Sequence, residues 1–112
     1  MKIKQGETKG FVFYTHEVGS DTPILDAPAD MVFTATKEGQ CCEAVKLTKK
    51  LNAGISFEPT TGQYTLQFEP NDTINLPSGN YAFDIKIKRG DKQYFIIGQG
   101  YLNIEKSYTG VI

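Results

Sequence analysis

Few side chains in this sequence are of types that do chemistry, and their spacing favours structural roles. His16 is the single histidine, with Ser20 and Asp21 close behind it. These are the residue types of a nucleophilic triad, which needs a base held between a nucleophile and an orienting acid. A histidine where a strand runs into a loop is more simply a surface residue, so no catalytic residue is assigned and no enzyme is expected. Cys41 and Cys42 are neighbours. Bridging them would close a strained small ring, and two thiols make no disulfide framework. On a strand they would point to opposite faces, so both are read as reduced thiols. With one histidine they cannot complete a tetrahedral zinc site, and neither metal nor cofactor is expected.

Other short patterns have similarly plain readings. Asn71-Asp72-Thr73 lacks the acidic ladder and turn glycine of a calcium loop, and suits capping of a helical turn. Gly98-Gln99-Gly100 opens no helix and therefore cradles no phosphate. Arg89-Gly90-Asp91 spells an adhesion tripeptide, yet these residues also suit a tight, wet hairpin. Lys86, Lys88, Arg89 and Lys92 gather on that hairpin. They read as a solvated face that resists aggregation or, more sharply, as an electrostatic contact to an acidic neighbour.

Those side chains need a scaffold, and size and composition limit which one. The 112 residues suit one domain with a real core. Apolar residues make up 39% and charged residues 22%, a globular balance. A formal net charge of −1 offers no basic surface for nucleic acid. No apolar run approaches the roughly 18 residues of a membrane helix, and the first residues lack the apolar core of a signal peptide.

Turn signals recur about every ten residues, as in an all-β sandwich. In residues 81–88, Tyr81, Phe83, Ile85 and Ile87 alternate with Ala82, Asp84, Lys86 and Lys88. That period of two makes one wall of a sandwich with its outer side wet. Further strands are predicted over residues 9–16, 31–37, 42–49, 55–57 and 63–69, and a last one over 93–105. Glu38-Gly39-Gln40 is expected to turn one strand into the next, and Pro59-Thr60-Thr61-Gly62 to form a hairpin turn. In the last strand Phe95 and Ile97 are odd-numbered whereas Leu102 and Ile104 are even-numbered. A β-bulge at Gly98-Gln99-Gly100 would restore one apolar face. The expected fold is thus an immunoglobulin-like antiparallel β-sandwich of seven to eight strands over residues 1–106. One short helical turn crosses its E–F corner, and residues 107–112 form a C-terminal tail. Tyr81 is the candidate for the corner tyrosine that bonds back to the preceding loop. Phe83 stands where antibody domains carry a cysteine, so the core must hold without a disulfide.

Several passages carry a family resemblance when taken in order. Lys4-Gln5-Gly6-Glu7-Thr8 leads into an aromatic strand, and Pro23-Ile24-Leu25-Asp26 precedes the strand at 31–37. Leu76-Pro77-Ser78-Gly79-Asn80-Tyr81 opens the next, and Gly100-Tyr101-Leu102-Asn103-Ile104 closes the domain. On these, the chain resembles the immunoglobulin-like domains of phage and prophage structural proteins. It is especially similar to the N-terminal domain of phage baseplate upper proteins. Asp26-Ala27-Pro28-Ala29-Asp30 replaces the Leu-Thr-Gly-Ala step of that family. The resemblance implies a virion or assembly component, in the virion or in the bacterial host cytoplasm during assembly.

The expected function is therefore non-enzymatic, through contacts with other virion proteins or with copies of itself. No small-molecule substrate, nucleic acid or membrane is expected as a partner. Tyr108, Val111 and Ile112 are apolar residues beyond the last strand. They either fold back on the sandwich or add to a neighbour's sheet edge, where main-chain bonds and side-chain pockets set affinity and register. Repeated head to tail, that contact closes a ring or grows a tube. The alternative is a glycan- or host-surface-binding module using Tyr14, Tyr94, Tyr101 or loop residues.

Overall fold

The structure, a computed structural model, describes residues 1–16, 19–37, 45–90 and 93–106. Its strands are β1 (Lys2–Lys4), β2 (Lys9–Tyr14), β3 (Asp30–Lys37), β4 (Val45–Leu51), β5 (Gly54–Glu58), β6 (Gln63–Phe68), β7 (Gly79–Lys88) and β8 (Phe95–Glu105). A single helical turn, α1 (Pro70–Thr73), lies between β6 and β7. The fold is all-β and sandwich-like, as expected. The predicted turn at 38–40, the cysteine pair, the start of the 42–49 strand and the tail all lie outside the described residues.

Alternation builds the two leaves. In β3 the residues Met31, Phe33 and Ala35 are fully buried, whereas Val32, Thr34 and Thr36 are not. In β6 the buried set is Tyr64, Leu66 and Phe68. The strand order is β1-β8-β7-β3-β4-β5-β6-β2, a single hydrogen-bonded sheet. β3 and β6 are not neighbours in it, yet the rings of Phe33 and Phe68 meet edge-on at 5.8 Å. The sheet is therefore folded over its own core. One leaf is β1-β8-β7-β3-β4, the other β5-β6-β2, and the seam is a short parallel pairing of Lys50 and Leu51 with Gly54 and Ile55.

Among the described residues that seam is one of two parallel pairings, in a sheet predicted to be antiparallel throughout. The other joins β1 to β8, with Ile3 opposite Ile104. In β1, Lys2 and Lys4 stay exposed while Ile3 enters the core. Three residues are too few for a period of two to stand out, which is why this strand was not legible.

The parity change in β8 is resolved by an irregularity in its pairing with β7. Ile85 faces Gly98, but Lys86 faces Ile96, so Ile97 is the extra residue. The bulge thus sits at Ile97, immediately before the predicted glycine pair. Gly98 and Gly100 stand opposite Ile85 and Phe83, on the inward side.

The E–F corner also differs in detail from expectation. α1 begins at Pro70 with Glu69 as its cap, two or three residues earlier than a cap at Asn71 or Asp72 would place it. Pro suits a first helical position because its missing N–H has no intrahelical partner there. Asp72 reaches back instead, its Oδ2 accepting the Glu69 N–H at 2.7 Å and a Lys49 Nζ–H at 2.5 Å. The buried Thr73 hydroxyl oxygen accepts the Gly6 N–H at 2.9 Å, tying the β1–β2 turn to the corner. In the β5–β6 turn, Gly62 adopts φ 76°, the left-handed region predicted to need glycine.

Candidate functional site

A cavity of about 640 Å³ opens between β2 and β8, toward the two ends of the folded sheet, with no described strand between them. Half-buried Phe11, Phe13, Phe83 and Ile97 line it together with buried Ile85. Exposed Val12, Tyr14, His16 and Gln99 border it as well. Both alternating sets of β2 side chains touch this space, so it runs along the strand's open edge. Among the described residues β2 pairs only with β6 and is the last strand of the sheet.

The edge of β8 facing this opening is covered at one end. β1 pairs with residues 103–105, and the amino group of Met1 donates to the Tyr101 carbonyl at 3.2 Å. Among the described residues no strand pairs with β8 on that side from 95 to 100. Among the described residues, then, two strand edges without a further partner flank one apolar groove.

Most natural sheets blunt such edges with charge, proline or a bulge. β8 carries the bulge at Ile97. β2 reads Lys-Gly-Phe-Val-Phe-Tyr, with a single charge at its start and no proline. Lys9 is itself occupied, donating to the Lys2 carbonyl at 2.9 Å. The stretch from Phe11 to Tyr14 is an unguarded apolar edge, with Val12 60% and Tyr14 43% exposed.

The glycines of β8 shape the opposite wall. A Cβ on Gly100 would lie 3.1 Å from two atoms of the Phe83 ring, so glycine lets that ring lie against the strand. Phe83 also packs against Phe33, ring centres 5.3 Å apart. A Cβ on Gly98 would meet only Ile85 Cδ1, at an ordinary 3.8 Å. The groove is thus open at Gly98 because a side chain is missing there, and a larger residue would fit into it.

Other residues singled out from sequence fall elsewhere. The Tyr81 hydroxyl donates to the Pro77 carbonyl at 2.7 Å, across the corner. Burial pushes its pKa up from the usual tyrosine value. Lys86 is exposed on the outer face of β7, opposite Val32. The Lys88 ammonium lies 5.7 Å from the centre of the Tyr94 ring. Arg89 donates to the Asp26 carbonyl at 3.1 Å and to Thr15 Oγ1 at 3.4 Å, pinning two loops together. The three basic residues therefore have separate tasks, and Asp91 and Lys92 lie outside the described residues. Tyr94 donates a short hydrogen bond to Asp30, which holds that carboxylate below its ordinary pKa and raises the tyrosine's.

His16 forms an isolated bridge with Pro23 at the end of the groove. Ser20 Oγ accepts the Thr22 N–H at 3.1 Å, a local turn contact. Among the described residues, no group of three His, Cys, Asp or Glu could hold a metal ion. No described helix is long and apolar enough to cross a membrane.

The groove itself was missed from sequence. Its one legible signal was the aromatic, charge-poor run of β2, which reads equally well as a core strand. No protein-family model matches this chain, and no curated protein matches it by sequence.

Proposed function

We propose that this chain is a non-enzymatic assembly module that acts through protein–protein contacts, and that the groove between β2 and β8 receives an extended strand from a partner. The observation that carries this reading is the pairing of an unguarded β2 edge with an apolar groove along it. Main-chain groups of an edge strand template a further strand, while side-chain pockets set its register. The resemblance to phage and prophage structural domains sets the module in a virion or its assembly, as a partner of other virion proteins or of itself.

A display library of random extended hexapeptides, panned on the full chain and on Gly98→Val, tests the groove. Enrichment of alternating apolar sequences that bind the wild type and not Gly98→Val supports the reading. No enrichment, or equal binding to both, overturns it. Capsid or tail genes flanking this one would support the virion setting.

A second reading, a glycan or host-surface ligand on exposed tyrosines, draws on Tyr101, which is 69% exposed on β8 beside the outward Ala82. Tyr14 stands on the other leaf, with its hydroxyl donating to Gln63, and the Tyr94 hydroxyl is engaged by Asp30. The three do not form one platform. A glycan array showing binding lost in Tyr101→Ala would favour this reading.

A further inference from the structure

We infer that the outer face of the β8-β7-β3-β4 leaf is a second contact surface, where a row of lysines and apolar side chains receives an acidic surface of a partner protein. It uses different residues from the groove and stands without it.

The pairing registers build the row. Val32 of β3 stands opposite Lys86 on β7 and opposite Lys50 on β4, and Lys86 in turn stands opposite Ile96 on β8. Met31, Phe33, Ile85 and Ile87, their neighbours along β3 and β7, are buried, so the row lies on the outward side. Across the strands the face therefore alternates apolar and basic groups: Ile96, Lys86, Val32, Lys50. Ile96 is 49% exposed, both lysines are exposed, and Val32 is half-buried between them. With neighbouring strands about 4.8 Å apart, the two lysines spring from points roughly 10 Å apart. Exposed Lys46 lies further along β4 on the same side.

No carboxylate stands opposite these three lysines. Sheet faces gain stability when opposite charges stand directly across from each other. Here Thr36 stands opposite Lys46, and Val32 opposite both Lys50 and Lys86. The ion pairs among the described residues join Lys2 to Glu105 and Lys49 to Asp72, and neither belongs to the row. Asp84 stands opposite Thr34 and Gln99, and Asp30 stands opposite Lys88. The Asp30 carboxylate is held chiefly by Tyr94, with Lys50 a lesser influence. The row thus keeps uncompensated positive charge on a chain whose formal net charge is −1.

Two plainer uses of lysine do not account for this. Lysine guards open strand edges, but Lys86 is paired on both sides, by β3 and β8. Lys50 is paired on both sides as well, with Val32 and with Gly54. Lysine scattered for solubility would appear on both leaves. The outward positions of β5, β6 and β2 carry no basic residue, and their one charge is Glu58.

Charge complementarity calls for an anionic partner, and the alternation favours protein over nucleic acid. Val32 and Ile96 offer apolar contacts between the charges, which an acidic protein surface can match with apolar side chains and a phosphate backbone cannot. Sheet faces that hold single strands stack bases on aromatic side chains, and the row has none.

Fluorescence anisotropy with the full chain tests this, using three labelled probes of equal length. They are a peptide of Glu-Leu-Glu repeats, the same peptide with Ser in place of Leu, and a single-stranded oligothymidylate. At low salt the Glu-Leu-Glu peptide is expected to bind saturably, at least about fivefold tighter than either other probe. The double variant Lys50→Ala/Lys86→Ala is expected to weaken it by about tenfold. Lys2→Ala/Lys4→Ala, an equal loss of charge on β1, and the groove variant Gly98→Val are expected to bind it as the wild type does.

No saturable binding up to about 1 mM, or equal weakening by the β1 pair, would overturn the assignment. So would a Ser-containing peptide or an oligothymidylate that binds as tightly as the Glu-Leu-Glu peptide. Loss of binding in Gly98→Val would move the peptide to the groove and overturn it too. The hexapeptide library tests the groove by itself, so the two readings fail separately.

Discussion

Tyr81 and Tyr64 are both fully buried, and replacing either by phenylalanine removes one hydroxyl, but the two losses should have opposite consequences. Tyr81 donates to the Pro77 carbonyl at 2.7 Å, so Tyr81→Phe breaks a bond and leaves that carbonyl without its partner. A net hydrogen bond contributes about 1 kcal/mol, and the stranded acceptor adds to the loss, giving about 1.5 kcal/mol. For a domain of this length, roughly 4 °C of Tm follows each kcal/mol, so the melt should fall by about 6 °C. Tyr64 lies against Phe13 at 5.1 Å and Phe57 at 4.6 Å, and its hydroxyl is a buried polar atom without a partner among the described residues. Tyr64→Phe removes a desolvated group that gains nothing in return, so stability should hold or rise by about 1 kcal/mol. Urea melts with unchanged m-values would read both directly. Equal losses in the two variants would mean that Tyr64 has a hydrogen-bond partner, and the distinction drawn between the tyrosines would fail. Alkaline pH supplies an independent check. Burial raises the Tyr81 pKa above its unfolded value, so its contribution is complete below about pH 10 and is lost as pH rises through the folded value. The Phe variant should lack that part of the alkaline decline.

Two further outcomes follow from side-chain pairs outside the groove. The Lys49 and Asp72 side chains are only 11% and 24% exposed and meet at 2.5 Å, with the ammonium 5.7 Å from the centre of the Phe68 ring. Asp72→Ala should cost about 2 kcal/mol by leaving that ammonium without its counter-charge, and less in a Lys49→Met background; equal costs in both backgrounds would deny the coupling. Asp30 has its pKa lowered chiefly by Tyr94, with the Met31 N–H, Lys50 and Lys88 assisting against desolvation. Tyr94→Phe should raise the Asp30 pKa in a carboxyl NMR titration. The stability difference between variant and wild type should be present above about pH 4 and fade as pH falls through the folded Asp30 value. An unmoved Asp30 titration would count against the bond.

The fold was legible where one face of a strand is buried along its whole length. The alternation of β3, β6 and β7 is a direct imprint of a core on one side and water on the other. The corner tyrosine was also legible, because a loop that must cross the sandwich end leaves carbonyls which a following hydroxyl can satisfy. Where burial is brief, the imprint fades. β1 contributes one core residue, Ile3, and the parallel seam at β4–β5 involves two pairs, so neither sets a period. The bulge was legible as a parity conflict but misplaced by one position. Glycine permits a bulge, whereas the residue displaced here is Ile97, which remains half-buried against the groove.

The groove was illegible for a different reason. Phe11 and Phe13 alternate with Val12 and Tyr14, all apolar or aromatic, so periodicity gives β2 no wet face. A strand of that composition is expected to be covered on both sides, as in the middle of a core. Among the described residues it is an edge, because the β1 segment that covers β8 at residues 103–105 does not extend along β2 beyond the Lys9 contact. The conflict between composition and position is what motivates the strand-acceptor reading proposed above. On that reading, a sequence written for a covered strand, placed where nothing among the described residues covers it, would be satisfied by a further strand. Gly98 keeps the facing wall hollow, since a Cβ there would meet only Ile85 Cδ1 at 3.8 Å.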